Sequence, residues 1–92
     1  MDEKIKELIE ILKKHGVKRV KVFGSYVRGE AKPDSDLDVI VDFSERKSLL
    51  EIVGIEQEVE DRLGIKVDLL TEKSISPYLK ERIEKESKVV LG

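Results

Sequence analysis

The chain contains no cysteine, which removes disulfides, thiolate metal ligands and thiol nucleophiles at once and fits a reducing cytoplasm. Asparagine is absent and Gln57 is the only glutamine, while Lys, Glu and Ile abound. That balance is enriched in heat-adapted proteins and bears on stability, not on activity. No apolar run approaches the roughly 20 residues needed to cross a bilayer, and residues 1–6 are charged rather than signal-like. A soluble cytoplasmic protein without a membrane partner is expected. Charge of one sign is missing too: 18 basic against 20 acidic residues leave a formal net charge of −2, so a broad electrostatic grip on nucleic acid is not expected.

What remains is 92 residues at 39% hydrophobic content, enough for a single domain over residues 1–92 that buries roughly 60–65% of its unfolded-chain surface. There is no internal repeat, low-complexity tract or linker. Over residues 3–15, Ile5, Leu8, Ile9 and Leu12 recur at helical spacing and Gly16 is placed to end the helix. Residues 19–23 alternate as a strand, and residues 37–43 form a β-branched apolar run bounded by polar loops. Between them, residues 25–30 allow only a short helical turn, and Pro33 turns the following stretch into loop. A long helix is expected over residues 48–63 on Leu49, Ile52, Val53, Val59 and Leu63, stopped by Gly64. A strand over residues 65–70 follows. Ser76 then caps a helix that starts at Pro77, runs to about Lys85 and buries Leu79 and Ile83, and residues 89–91 add a short strand. The order predicts a small α/β (α+β) fold, a mixed sheet with helices packed on it.

Topology concentrates the chemistry. A strand–helix–strand crossover joins parallel strands, so the Leu37 and Ile65 strands start at one end of the sheet. Asp36, Asp38 and Asp68 lie near those starts, and if the first two strands pair antiparallel, Gly24 arrives there as well. Asp36 and Asp38, two apart in a strand, share a face. Asp68 adds a third carboxylate from the neighbouring strand, and like charges this close call for a cation. Hard oxygen donors with no His or Cys nearby favour Mg²⁺ or Mn²⁺, bound partly through substrate phosphates. Gly24 permits a tight turn and close approach, Ser25 offers a hydroxyl and nearby N–H groups to phosphate oxygens, and Arg28 supplies a cation one turn further on. Two metals about 3.5–4 Å apart would stabilise both attacking and leaving oxygens of a phosphoryl-type transfer.

The stretch GSYVRGEAKPDSDLD, from Gly24 to Asp38, with ten residues between Gly-Ser and Asp-x-Asp, resembles the minimal nucleotidyltransferase domains of the DNA polymerase beta superfamily. Arg28-Gly29, Ser35 and the Val67-Asp68-Leu69 strand extend the resemblance along nearly the whole chain. It implies a polymerase-beta-like fold, triphosphate contacts at Gly24 and Ser25, catalytic metal ligands at Asp36 and Asp38, and the third carboxylate at Asp68. The chain also resembles the antitoxin half of a two-component system whose partner is a HEPN-type ribonuclease toxin. Members of that group transfer adenylate from ATP to a tyrosine of the toxin, and the absence of an added acceptor domain agrees with an acceptor carried on another protein. The expected activity is thus Mg²⁺-dependent adenylate transfer from ATP, with two metal ions. The alternatives are neutralisation of the toxin by binding alone, and nucleotidyl transfer to a small molecule or an RNA end.

The remaining polar residues read as scaffold. His15 is assigned no catalytic role, and Lys18, Arg19 and Lys21 read as a solvated face. Lys80, Arg82 and Lys85 interleave with acids as surface pairs. Tyr26 and Tyr78 are expected to be partly buried, and Ile55 and Tyr78 are candidates for a partner surface.

Overall fold

Helix α1 (Glu3–Lys14) forms on a stripe of Ile5, Leu8, Ile11 and Leu12, all buried, with Glu3 in the first turn and Lys13 and Lys14 in the last to complement the helix dipole. Gly16, at φ 81°, turns the chain out of it. The structure is a computed structural model and describes residues 3–24, 29 and 36–92. After α1 come β1 (Val17–Phe23), β2 (Leu37–Phe43), α2 (Leu49–Leu63), β3 (Val67–Thr71), a 3₁₀ turn (Glu72–Ser74), α3 (Pro77–Glu86) and β4 (Lys88–Leu91).

The Gly64 stop and the Ser76 cap stand where the sequence predicts them, and Ser48, expected as the first helical residue, is instead the cap of α2. At the start of α2 the Ser48 hydroxyl accepts from Glu51 N–H while the Glu51 carboxylate accepts from Ser48 N–H, each at 3.2 Å. Gly64 closes that helix at φ 70°, its N–H donating to the Glu60 carbonyl. Ser76 caps α3 through Leu79 N–H, with Pro77 in the first turn.

The strands form one sheet in the order β3-β2-β1-β4. β1 is antiparallel to β2 and β4, and β2 is parallel to β3, as the crossover argument requires. Helices α1 and α2 cover one face. Leu37, Val39 and Val41 from β2, Val20 and Val22 from β1, and Val67 and Leu69 from β3 pack there against Leu8, Leu12, Val59 and Leu63. Each fully buried Leu or Val on this face contributes about 1.5–3 kcal/mol. On the opposite face Ile40, only 2% exposed, shares a small cleft with Ile75 and with Ile83 of α3. Helix α3 therefore covers part of the second face, leaving its other end to polar residues.

Several expectations are corrected. In α2 the buried residues are Ile55, Val59 and Leu63, with Ile52 partly buried, while Leu49 is 78% and Val53 42% exposed. The i, i+4 series 55, 59, 63 faces the core, and the apolar pair Leu49 and Leu50 at the helix start is exposed. Ile55 is thus core and not partner surface. Tyr78 is 93% exposed and Leu79 52%, so α3 is seated by Ile83 alone among the apolar residues of its own helix. Strand β1 begins two residues early because a register shift between Val17 and Arg19 lets Val17 and Val20 both face inward. Strand β3 begins at Val67, with Ile65 buried just ahead of it.

Candidate active site

The pairing registers bring the predicted residues together strand by strand. Asp38 and Asp68 are direct partners across the parallel β2–β3 ladder, on strands about 4.8 Å apart. Both alternate with core residues, Asp38 between Leu37 and Val39 and Asp68 between Val67 and Leu69, so both lie on the face opposite α1 and α2. Asp38 is half-buried, whereas Asp68 is exposed. Asp36, immediately before β2, is exposed as well.

On the other side of β2, Phe23 is the register partner of Asp38, and Gly24 follows at the end of β1. A Cβ placed on Gly24 would stand 2.6 Å from Oδ2 of Asp38, and its φ is +84°. Glycine is therefore required twice at this point, for the left-handed backbone and for the room that Asp38 occupies. Ser25 and Arg28 lie outside the described residues, as does the helical turn expected over residues 25–30.

Among the described residues no group of three or more His, Cys, Asp or Glu converges closely enough to hold a metal ion. The three carboxylates thus share one end of two neighbouring strands without forming a closed cage. His15, at the far end of α1, receives no role in this site: its Nε2 bonds Oε1 of Glu58 at 2.9 Å, and Lys14 bonds the same carboxylate at 3.1 Å. Glu58 is held below its ordinary carboxylate value by the His15 hydrogen bond first and the Lys14 bond second.

Along the same face, Lys21 is the partner of Ile40, two residues further along β2 than Asp38. Lys21 and Arg19 approach Glu72 at 3.4 and 3.9 Å, and with Lys80 and Glu84 they line the cleft under α3. Lys18 pairs instead with Asp42 at 3.6 Å. The expected solvated basic face is thus a set of ion pairs, and Lys21 keeps only 19% of its side chain exposed. A larger groove, about 570 Å³, opens at the opposite end of β2 and β3 among Asp42, Arg46, Lys47 and Lys73, away from the carboxylates.

Sequence reasoning missed one contact at the site. Glu56 of α2 accepts a hydrogen bond from Leu69 N–H, next to Asp68, at 2.9 Å. Glu56 sits next to Ile55, and only the rotation of α2 about its axis, which the apolar pattern misassigned, reveals where its carboxylate falls.

The model of the nucleotidyltransferase domain family matches residues 5–90. This chain belongs to the nucleotidyltransferase family. A Methanocaldococcus jannaschii protein named as a candidate protein adenylyltransferase is 52% identical to this nucleotidyltransferase over 86 residues, covering 94% of the chain and 92% of its own length. The protein adenylyltransferase MntA of Thermococcus cleftensis is 44% identical over 77 residues, covering 84% and 78%. Among solved structures, a chain of a toxin–antitoxin complex with AMP-PNP superposes at TM-score 0.88 and 22% identity, over 99% of this chain and 74% of its own. A chain from the complex of a tri-AMPylated Shewanella oneidensis HEPN toxin with an MNT antitoxin superposes at TM-score 0.79 and 21% identity, over 97% and 70%. At such identities the likeness is one of fold, and the fold is that of the minimal nucleotidyltransferases.

Proposed function

We propose that this nucleotidyltransferase transfers AMP from ATP to a side-chain hydroxyl of a HEPN-type toxin protein, for which it serves as the antitoxin. The register of Asp38 with Asp68, closed on its other side by Gly24, is the observation that carries the reading. The relatives named as adenylyltransferases and the AMPylated toxin complex support adenylate as the group transferred and a HEPN protein as its acceptor.

The donor set fits a hard divalent cation. Asp36, Asp38 and Asp68 offer only carboxylate oxygens, the chain has no cysteine, and its one histidine is engaged with Glu58. The three carboxylates do not close on an ion by themselves; together with the nucleotide phosphates, which would supply the remaining ligands, they would hold Mg²⁺, two ions being the expected number. When bound, the metal neutralises phosphate charge and lowers the pKa of a coordinated hydroxyl.

In the reaction proposed, the acceptor oxygen attacks the α-phosphorus of ATP. The new bond is P–O to the acceptor, the bond broken is that between the α-phosphorus and the bridging oxygen to the β-phosphate, and pyrophosphate leaves. Asp68, the most exposed of the strand carboxylates, is the residue assigned to take the hydroxyl proton. Gly24 and Ser25 hold the triphosphate by backbone N–H and hydroxyl groups, and Arg28 neutralises a phosphate.

The test uses ATP carrying its label at either the α- or the γ-phosphate, with the purified partner and Mg²⁺. Adenylate transfer labels the partner from the α position only and requires Asp36 and Asp38. Labelling from the γ position would mean phosphoryl transfer instead. A partner that binds tightly and stays unlabelled would leave inhibition by occlusion.

A further inference from the structure

Strand β3 lies at an edge of the sheet, whereas β2 is interior and is held by ladders on both sides. Asp38 is therefore fixed by two neighbouring strands and Asp68 by only one. An edge strand leaves alternate N–H and C=O groups without a strand partner. Here the Lys66 carbonyl accepts from Leu37 N–H at 2.9 Å. Backbone groups of Lys66 and Asp68 thus face β2, and those of Val67 and Leu69 face outward.

The outward Leu69 N–H has a protein partner. It donates to Oε2 of Glu56 at 2.9 Å in a part-buried bond that joins α2 to β3. Helix α2 is a firm anchor for such a bond. Ile55 and Val59, on either side of Glu56, are in the core, and Glu58 and Arg62 tie the helix to α1.

We infer that Glu56 is a positioning residue: by accepting the Leu69 N–H it holds the edge strand in the place that sets Asp68 beside Asp38. The inference rests on the proposed role of the two carboxylates. Glu56 acts through hydrogen bonding, not charge. Its neutral amide analogue keeps an acceptor oxygen and satisfies the same N–H, whereas truncation leaves a part-buried donor unpaired beside Asp68.

The experiment compares Glu56→Ala, Glu56→Gln, Asp68→Asn and the Glu56→Ala/Asp68→Asn double variant of the full chain. Three quantities are read: amide hydrogen exchange at Leu69 by NMR, affinity for Mn²⁺ alone by electron paramagnetic resonance, and kcat and KM for ATP with the partner. Glu56→Ala should speed Leu69 exchange, weaken Mn²⁺ binding and lower kcat, the last two by about tenfold as for other residues that orient metal ligands, with KM little changed. Glu56→Gln should restore both to within about threefold, and Glu56→Ala should add nothing in the Asp68→Asn background. Should Glu56→Ala fail to fold, Glu56→Asp, whose shorter side chain keeps the charge but withdraws the acceptor, makes the same comparison. Faster Leu69 exchange with unchanged Mn²⁺ affinity and kcat would overturn the inference, as would an effect that persists in full without Asp68. Wild-type Mn²⁺ affinity and kcat in Asp68→Asn itself would instead remove the role of Asp68, and the inference with it.

Discussion

Gly24 and Asp38 meet across the β1–β2 pair so closely that a Cβ on Gly24 would lie 2.6 Å from the Asp38 carboxylate oxygen Oδ2. No rotation of a flexible chain end relieves this contact without moving the carboxylate itself. Gly16 provides the control, since its φ of +81° matches the +84° of Gly24 but nothing lies within 4 Å of its would-be Cβ. Gly16→Ala should therefore cost only the left-handed backbone penalty, about 1–2 kcal/mol, and leave transfer activity intact. Gly24→Ala should carry the same backbone penalty and in addition displace Asp38, lowering kcat/KM by about a hundredfold, in line with small misplacements of reacting groups. Melting temperatures and initial rates for the two variants separate the contributions.

The reciprocal cap at the start of α2 sets a stability prediction away from the site. Ser48 and Glu51 satisfy each other's backbone N–H groups, so Ser48→Ala should destabilise the protein by about 1 kcal/mol. In a chain of this length that lowers the melting temperature by about 4–8 °C. Activity measured well below the transition should be unchanged, because the cap is remote from Asp38 and Asp68.

The rotation of α2 can be tested directly. Leu49 is 78% exposed and Val59 fully buried. Leu49→Ala should fall within about 0.5 kcal/mol of the parent, while Val59→Ala should cost about 1.5–3 kcal/mol. Denaturant midpoints at constant m-value would show the difference, and equal costs would contradict the orientation of the helix.

These residues also mark how far the sequence could be read. Capping chemistry is local, so Gly64 and Ser76 were recognisable from their neighbours alone, whereas Ser48 was read as the first helical residue and not as the cap it is. The parallel β2–β3 pair followed from the crossover between them, and with it the proximity of Asp38 and Asp68. The orientation of α2 was not legible, because Leu49, Ile52, Val53, Ile55, Val59 and Leu63 offer more than one helical stripe and only the sheet chooses between them. Val17 was missed for a related reason: the register shift at Lys18 breaks the two-residue period that identifies a strand. Glu56 carries no local signal, since its partner is a backbone N–H supplied by the edge of a sheet.

Acid should loosen the α1–α2 tie. Glu58 titrates below its ordinary value of 4.5 because it accepts hydrogen bonds from His15 and then Lys14. A carboxyl depressed in the folded state contributes stability above its unfolded pKa and loses it as pH falls through the folded one. The loss should therefore begin near pH 4.5 and continue below it. Wild-type melting temperature should fall more steeply across that window than that of Glu58→Gln. The difference should be small, and smaller in high salt, because the pair is exposed.

Asp36 and Asp38 are proposed to support transfer of AMP to a partner protein. The measurement that decides this is the intact mass of the purified HEPN-type partner after incubation with this nucleotidyltransferase, ATP and Mg²⁺, beside the Asp36→Asn/Asp38→Asn variant. A mass gain of one or more AMP units is expected with the parent chain and none with the variant. The same gain with both chains would contradict the role given to the carboxylates, and no gain with either, in a stable complex, would contradict the transfer itself.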